Sequence, residues 1–245
     1  MVRKRIIPCL LLHKKGLYKT KKFKEPTYIG DPINAAKIFN EKKVNELVVF
    51  DIDASVKNFE PNYRIIENIV SECFIPITYG GGVKSINQME KLFKLGIEKI
   101  SLSTEIILNP NFLTEAANIF GSQSVVVTLD VKKDFFGRKR IYIYNGNKNT
   151  NIDPLKFVKQ VVNLGAGEII INSIDLDGTM NGFDIILLKE IKSTIKVPVI
   201  GLGGAGNESH INEVFIKSSI DGVCCGSLFL YHGPLRSVLI NYPFS

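Results

Sequence analysis

Two kinds of residue in this 245-residue chain could do chemistry: an isolated carboxylate closing an apolar run, and glycines spaced to bind anions. Asp130 follows Val125-Val126-Val127-Thr128-Leu129. A carboxylate at the end of a buried strand is where a general acid or base can meet a substrate; capping the next loop is its structural alternative. The glycine pattern Pro76-Ile77-Thr78-Tyr79-Gly80-Gly81-Gly82 returns 122 residues later as Pro198-Val199-Ile200-Gly201-Leu202-Gly203-Gly204. Each copy leads through a helical stretch into a strand ending in small residues, Lys99-Ile100-Ser101-Leu102-Ser103-Thr104 and Gly222-Val223-Cys224-Cys225-Gly226-Ser227. Such turns aim backbone N–H groups outward, where an anion can sit. Any one glycine is explained by a tight turn, but their recurrence in both halves favours two anion sites.

The elements that must position these groups alternate regularly. Apolar, β-branched runs predict eight buried strands at Ile6–Leu12, Leu47–Asp51, Ile75–Tyr79, Lys99–Ser103, Val125–Asp130, Glu168–Asn172, Val197–Leu202 and Gly222–Gly226. Asp31-Pro32, Asn109-Pro110 and Asp153-Pro154 each pair an N-cap residue with proline at the first helical position. Ser85 with Gln88 reads as a capping box, and Gly96, Gly121 and Gly165 as helix ends. Eight strands with intervening helices predict one α/β domain over 1–245, a (β/α)₈ TIM barrel made of half-barrel repeats at about 1–120 and 121–245. Phe135–Tyr144, with its Gly137 turn, predicts a small hairpin over the barrel mouth.

Composition narrows the function. Hydrophobic residues make up 45% of the chain, a normal share for a globular protein. No apolar run approaches the roughly 20 residues needed to cross a bilayer. Arg3-Lys4-Arg5 before Ile6–Leu12 superficially resembles a secretory signal, but the run is short, contains Pro8 and lacks a small-residue cleavage site. Cys9, Cys73, Cys224 and Cys225 show no metal-ligand spacing, and the adjacent pair points to opposite faces of a strand. A reduced, cytoplasmic protein without a metal or cofactor is expected. The net charge of +7 is concentrated at Lys14, Lys15, Lys19, Lys21, Lys22 and Lys24, read as a solvated basic loop with phosphate binding as the alternative. No aromatic platform accompanies these lysines, which argues against nucleic acid.

Aligning the halves sets Asp130 against Leu11, so a barrel that could hold acids at both symmetry-related points has only one. Arg5, Glu46, Lys99 and Glu168 fall at the N-terminal ends of the first, second, fourth and sixth of these strands. Charges buried at a barrel's base are costly unless paired, so two cations and two anions should form a ring.

Arg5–Leu10, Gly30-Asp31-Pro32, Gly80-Gly81-Gly82, Phe120–Val127, Gly165–Glu168, Ser173–Thr179 and Gly203–Gly206 resemble the cyclase subunit of imidazole glycerol phosphate synthase as far as about Ser227. The resemblance implies a (β/α)₈ barrel that takes ammonia from a glutaminase partner of HisH type, docked on its N-terminal face, and joins it to a bis-phosphate substrate. By the same resemblance, Gly82, Ser103 and Thr104 hold one phosphate, and Asp177, Gly178, Gly204, Gly226 and Ser227 form the second site. Lys19 matches the substrate-closing lysine, and Asp51 is also matched. Arg5, Glu46, Lys99 and Glu168 match the ammonia gate, with Thr78 and Ser101 farther along the passage. Leu11 stands where the family has an aspartate partnered with Asp130; Thr20 replaces a glycine, Leu202 a serine and Asn172 a threonine. These departures resemble a branch associated with amidation of bacterial surface-glycan sugars, whose further partner would be a sugar amidotransferase. The expected function is therefore glutamine-dependent ammonia supply through the barrel. An authentic histidine-pathway cyclase, and a non-catalytic conduit that activates its glutaminase, are the alternatives.

Overall fold

Successive residues of an apolar strand face opposite ways, and here the two faces build two different cores. In the computed structural model, which describes residues 4–233 and 235–244, Ile7, Cys9, Val48, Val126, Ile170, Ile200, Leu202 and Cys224 pack inside a barrel. Their neighbours Leu10, Leu12, Leu47, Val49, Val125, Val127, Ile169, Ile171, Val223 and Cys225 pack outward against helices. Cys224 and Cys225 thus do face opposite ways. Arg3, from the signal-like start, lies outside the described residues.

The barrel strands are β1 Arg5–His13, β2 Leu47–Asp51, β3 Ile77–Gly80, β4 Lys99–Leu102, β5 Val125–Lys133, β6 Glu168–Ser173, β7 Val199–Leu202 and β8 Gly222–Cys225. All neighbours pair in parallel, and β8 closes on β1 with Arg5 opposite Gly222 and Pro8 opposite Cys225. The fold is the expected (β/α)₈ TIM barrel. Strands β3 and β7 begin two residues later than the sequence suggests. Pro76 and Pro198 have no N–H to donate, although their carbonyls accept from Leu47 and Ile169 at 2.9 and 3.0 Å.

Asp31 and Asp153 cap helices Pro32–Glu41 and Pro154–Asn163 as expected. Asn109-Pro110 behaves differently: Pro110 is itself the N-cap of Asn111–Phe120, and no side chain caps that helix. The Ser85 box is one-sided. Ser85 accepts from the Gln88 N–H, whereas the Gln88 side chain accepts from Lys84 rather than from Ser85.

Two insertions shape the mouth. The basic segment is an antiparallel hairpin, Gly16–Lys21 with Lys24–Gly30, hydrogen-bonded to the end of β1. The loop expected there is therefore sheet, and Lys19 within it is buried. The second insertion is the expected hairpin after β5, formed by Lys139–Ile143 folding back on β5 with Gly137 at a positive φ of 76° in its turn.

Among the described residues, only the short helix Ser227–Leu230 follows β8. After it, the chain runs down the outside of the barrel, with Leu239 and Asn241 donating to Leu230 and Phe229 carbonyls at 3.0 and 2.9 Å. Tyr242 stacks 5.2 Å from Phe229, and its hydroxyl donates to the Ile6 carbonyl at 3.1 Å. Tyr242→Ala should therefore destabilise the fold by about 3 kcal/mol, read as a lower urea midpoint with an unchanged m-value.

Candidate functional site

Inward positions two apart, 126-128-130 on β5 and 168-170-172 on β6, bring charged and polar groups into the barrel at both ends. At the base, Arg5 Nε and Nη1 donate to Glu46 Oε1 and Glu168 Oε2, each at 2.5 Å. Lys99 Nζ lies 3.3 Å from Glu168 and 3.9 Å from Glu46. The four predicted charges thus form one ring. Burial opposes the Arg5 charge, but hydrogen bonds and charge from Glu46 and Glu168 outweigh it and hold the guanidinium above its ordinary range. Lys99 makes the looser contacts.

Thr78, Ser101 and Thr128 are buried above the ring, and the Ser101 and Thr128 hydroxyls are 2.6 Å apart. These hydroxyls line one side of the interior, while Ile7, Cys9, Val48 and Cys224 fill the other. Thr128 then leads, two residues on, to Asp130.

Asp130 is half-buried at the cavity wall, and its pKa rises from 3.8 to about 7. Desolvation is the main cause, the hydrogen bond from Asn172 opposes it, and the negative Asp177 adds to it. Asn172 Nδ2 donates to Asp130 Oδ1 at 3.0 Å, leaving Asn172 Oδ1 buried without a partner among the described residues. Leu11 borders the same cavity, packed with the apolar set that includes Cys9 and Leu202. It offers neither proton nor acceptor.

The cavity at the mouth has a volume of about 300 Å³. Gly81, Gly82, Ser103 and Thr104 line it, as do Asp51, Lys19, Asp130, Asp177 and Gly226. Gly82 has φ +73°, and a Cβ there would lie 2.6 Å from the Phe59 carbonyl, so the close turn needs glycine. Asp51 accepts from the Asp53 and Ala54 N–H groups at 2.9 and 3.1 Å, which organises the loop behind Gly81. Burial pushes its carboxyl up, against those two bonds. Thr104 Oγ1 accepts from the Tyr144 N–H at 3.2 Å, tying the first predicted cradle to the β5 insertion.

The second predicted cradle is arranged differently. Lys19 Nζ donates to Asp177 Oδ1 at 2.6 Å and Thr20 Oγ1 to Asp177 Oδ2 at 3.0 Å, all three residues being buried. Gly178, Gly204 and Ser227 do not border the mouth cavity, whereas Asp177 and Gly226 do. The sequence pattern anticipated two cradles, and the hairpin lies across the second of them.

Sequence reasoning named Asn172 and Thr20 only as departures and gave them no contact. The inward phase of Glu168 and Ile170 could have placed Asn172 beside Asp130. Nothing local marks Thr20, whose partner is 157 residues away.

A model of the histidine biosynthesis protein family matches residues 5–235. A Pseudomonas aeruginosa protein carrying the provisional name imidazole glycerol phosphate synthase subunit hisF2 is 49% identical, over 99% of this chain and 97% of its own. A Vibrio vulnificus protein, provisionally named subunit hisF3, is also 49% identical, over 99% and 94%. The imidazole glycerol phosphate synthase subunit HisF of Streptococcus mutans is 39% identical, over 94% and 92%.

Proposed function

The chain belongs to the histidine biosynthesis protein family, on its HisF side, and from that premise we propose that it receives ammonia from a glutaminase and releases it at a phosphate-binding mouth for amidation of a bacterial surface-glycan sugar. In this reading the glutaminase docks at the base, and ammonia passes the ring of Arg5, Glu46, Lys99 and Glu168. Lys99, with the weakest contacts in the ring, is the member that swings aside. The hydroxyls of Thr78, Ser101 and Thr128 then offer successive hydrogen-bond partners on the way to Asp130. Gly82, Ser103 and Thr104 hold a ligand phosphate, and we read the two glycine turns as the marks of a duplicated half-barrel.

One observation carries the proposal: above an intact ring and polar file, the position matched with Asp130 across the repeat is Leu11, which lines the same cavity in an apolar cluster. A barrel that still conducts ammonia but has lost one acid of a pair is suited to supplying the nitrogen rather than to closing a ring itself. Greater identity to the provisionally named hisF2 and hisF3 proteins than to the Streptococcus mutans subunit supports the same branch. Asp130, near pH 7 in both protonation states, can still give a proton to a leaving oxygen or take one from an attacking amine.

The test is ammonia-dependent turnover of the bis-phosphate substrate of the histidine-pathway cyclase. Loss of one acid of the pair predicts a rate roughly 10²–10⁴-fold below that of a two-acid cyclase. Turnover at the full cyclase rate would instead make this a histidine-pathway enzyme. If Asp130→Asn leaves glutamine-dependent output unchanged while ring variants abolish it, the barrel is a conduit without chemistry of its own.

A further inference from the structure

The two cradles are unequal, and the difference bears on the ligand. The open cavity follows one of them: Gly81, Gly82, Ser103 and Thr104 all line it. Over the other, the β1 hairpin is folded down and fastened. Lys19 and Thr20 occupy both oxygens of the Asp177 carboxylate, and the Lys22 N–H donates to the Asp177 carbonyl at 2.9 Å.

The backbone contacts are equally close. A Cβ on Gly178 would lie 2.2 Å from the Thr20 carbonyl, so the hairpin backbone rests directly on that glycine. The aliphatic stem of Lys19 covers Gly226, with Cε 3.3 Å from where a Cβ would be. From the outer side, Arg236 Nη1 and Nη2 donate to the Gly178 and Thr179 carbonyls at 3.3 and 3.4 Å.

We propose that this barrel takes a ligand bearing a single phosphate, a phosphomonoester of a small polar molecule, because its own hairpin fills the second cradle. The phosphate sits at Gly82, Ser103 and Thr104, and the rest of the ligand reaches across the cavity toward Asp130 and Asn172. This rests on reading the glycine turns as phosphate cradles, as above, and adds that only one of them is in use.

The physical reasons are space and charge. A phosphate at Gly178, Gly226 and Ser227 needs the room that the Lys19 stem and Thr20 backbone occupy. The Lys19 charge that would attract it is already neutralised by Asp177, and a carboxylate beside an incoming dianion repels it. Thr20 stands where the resembling family has glycine. Its hydroxyl gives the hairpin a second tooth on Asp177 that glycine cannot supply. Ser227 Oγ, next in the chain to the covered Gly226, is buried without a partner among the described residues.

Backbone amide NMR during titration with inorganic phosphate, with chloride at matched ionic strength as the control, tests the proposal. Saturable shifts are expected at Gly81, Gly82, Ser103 and Thr104, while Gly178, Gly204, Gly226 and Ser227 stay still. In Thr20→Gly, and in Asp177→Asn where both teeth are weakened, the second group should begin to titrate while the first keeps its affinity within about twofold. Titration of both groups in the unaltered protein would overturn the single-phosphate proposal and leave the cradle reading standing. Movement of neither group would overturn the cradle reading and the proposal with it. A second group that stays silent in both variants would show that the hairpin is not what closes it.

Discussion

Asp130→Asn should make the protein more stable at pH 8 by on the order of 4 kcal/mol. The Asp130 pKa is about 7 in the folded chain, against an ordinary value of 3.8. Between those values the folded state holds the proton more tightly than the unfolded state, so stability falls as pH rises through the window and is lowest above about pH 7. Asparagine carries no charge to bury. Its amide can also donate to Asn172 Oδ1, which lacks a partner among the described residues. Urea unfolding at pH 4, 6 and 8 should show the variant and the parent converging at the acid end and separating with rising pH. A parent curve parallel to the variant's across the range would mean that Asp130 titrates normally. Curves that separate would show that a position burdening the fold is the one retained for chemistry, a common relation between active sites and stability.

Glu168→Leu should have the second large effect, a loss of about 3 kcal/mol. The Glu168 side chain is only 7% exposed and accepts from both Arg5 and Lys99. Removing it leaves Lys99 with Glu46 alone at 3.9 Å and strips Arg5 of one of its two carboxylates. Glu168→Gln, which retains an acceptor without the charge, should lose less. Under the proposed function, Glu168→Leu should also lower glutamine-dependent output while output from added ammonium salt persists. Equal falls in both would point to a general loss of folded protein, which the unfolding curves would reveal independently.

Much of this was legible because barrels announce their parts locally. Proline after an aspartate starts a helix, glycine at positive φ ends one, and a run such as Val125–Leu129 has nowhere to go but the core. The base ring was also legible, since lone charges at strand starts must find one another. What escaped depended on distant partners. Lysines at alternate positions masked the strand Gly16–Lys21, and only Asp177, far along the chain, explains why Lys19 and Thr20 are buried. Matching glycines gave reason to expect two cradles, but whether a concave site is open depends on what folds over it. The replacement of a full eighth helix by a packed strap depends on Tyr242 and Phe244 meeting Phe229, a contact no local pattern specifies.

The base ring also divides unevenly along the chain. Arg5, Glu46 and Lys99 precede residue 120 and sum to one surplus positive charge, while Glu168 alone follows it and supplies the missing negative one. Neither stretch could build an electrically neutral floor by itself. A repeat that looks interchangeable in its glycines is therefore asymmetric in its charges, with opposite signs left over on the two sides of the seam. Backbone pairing constrains shape alone, whereas this complementary remainder makes each stretch the counter-charge of the other.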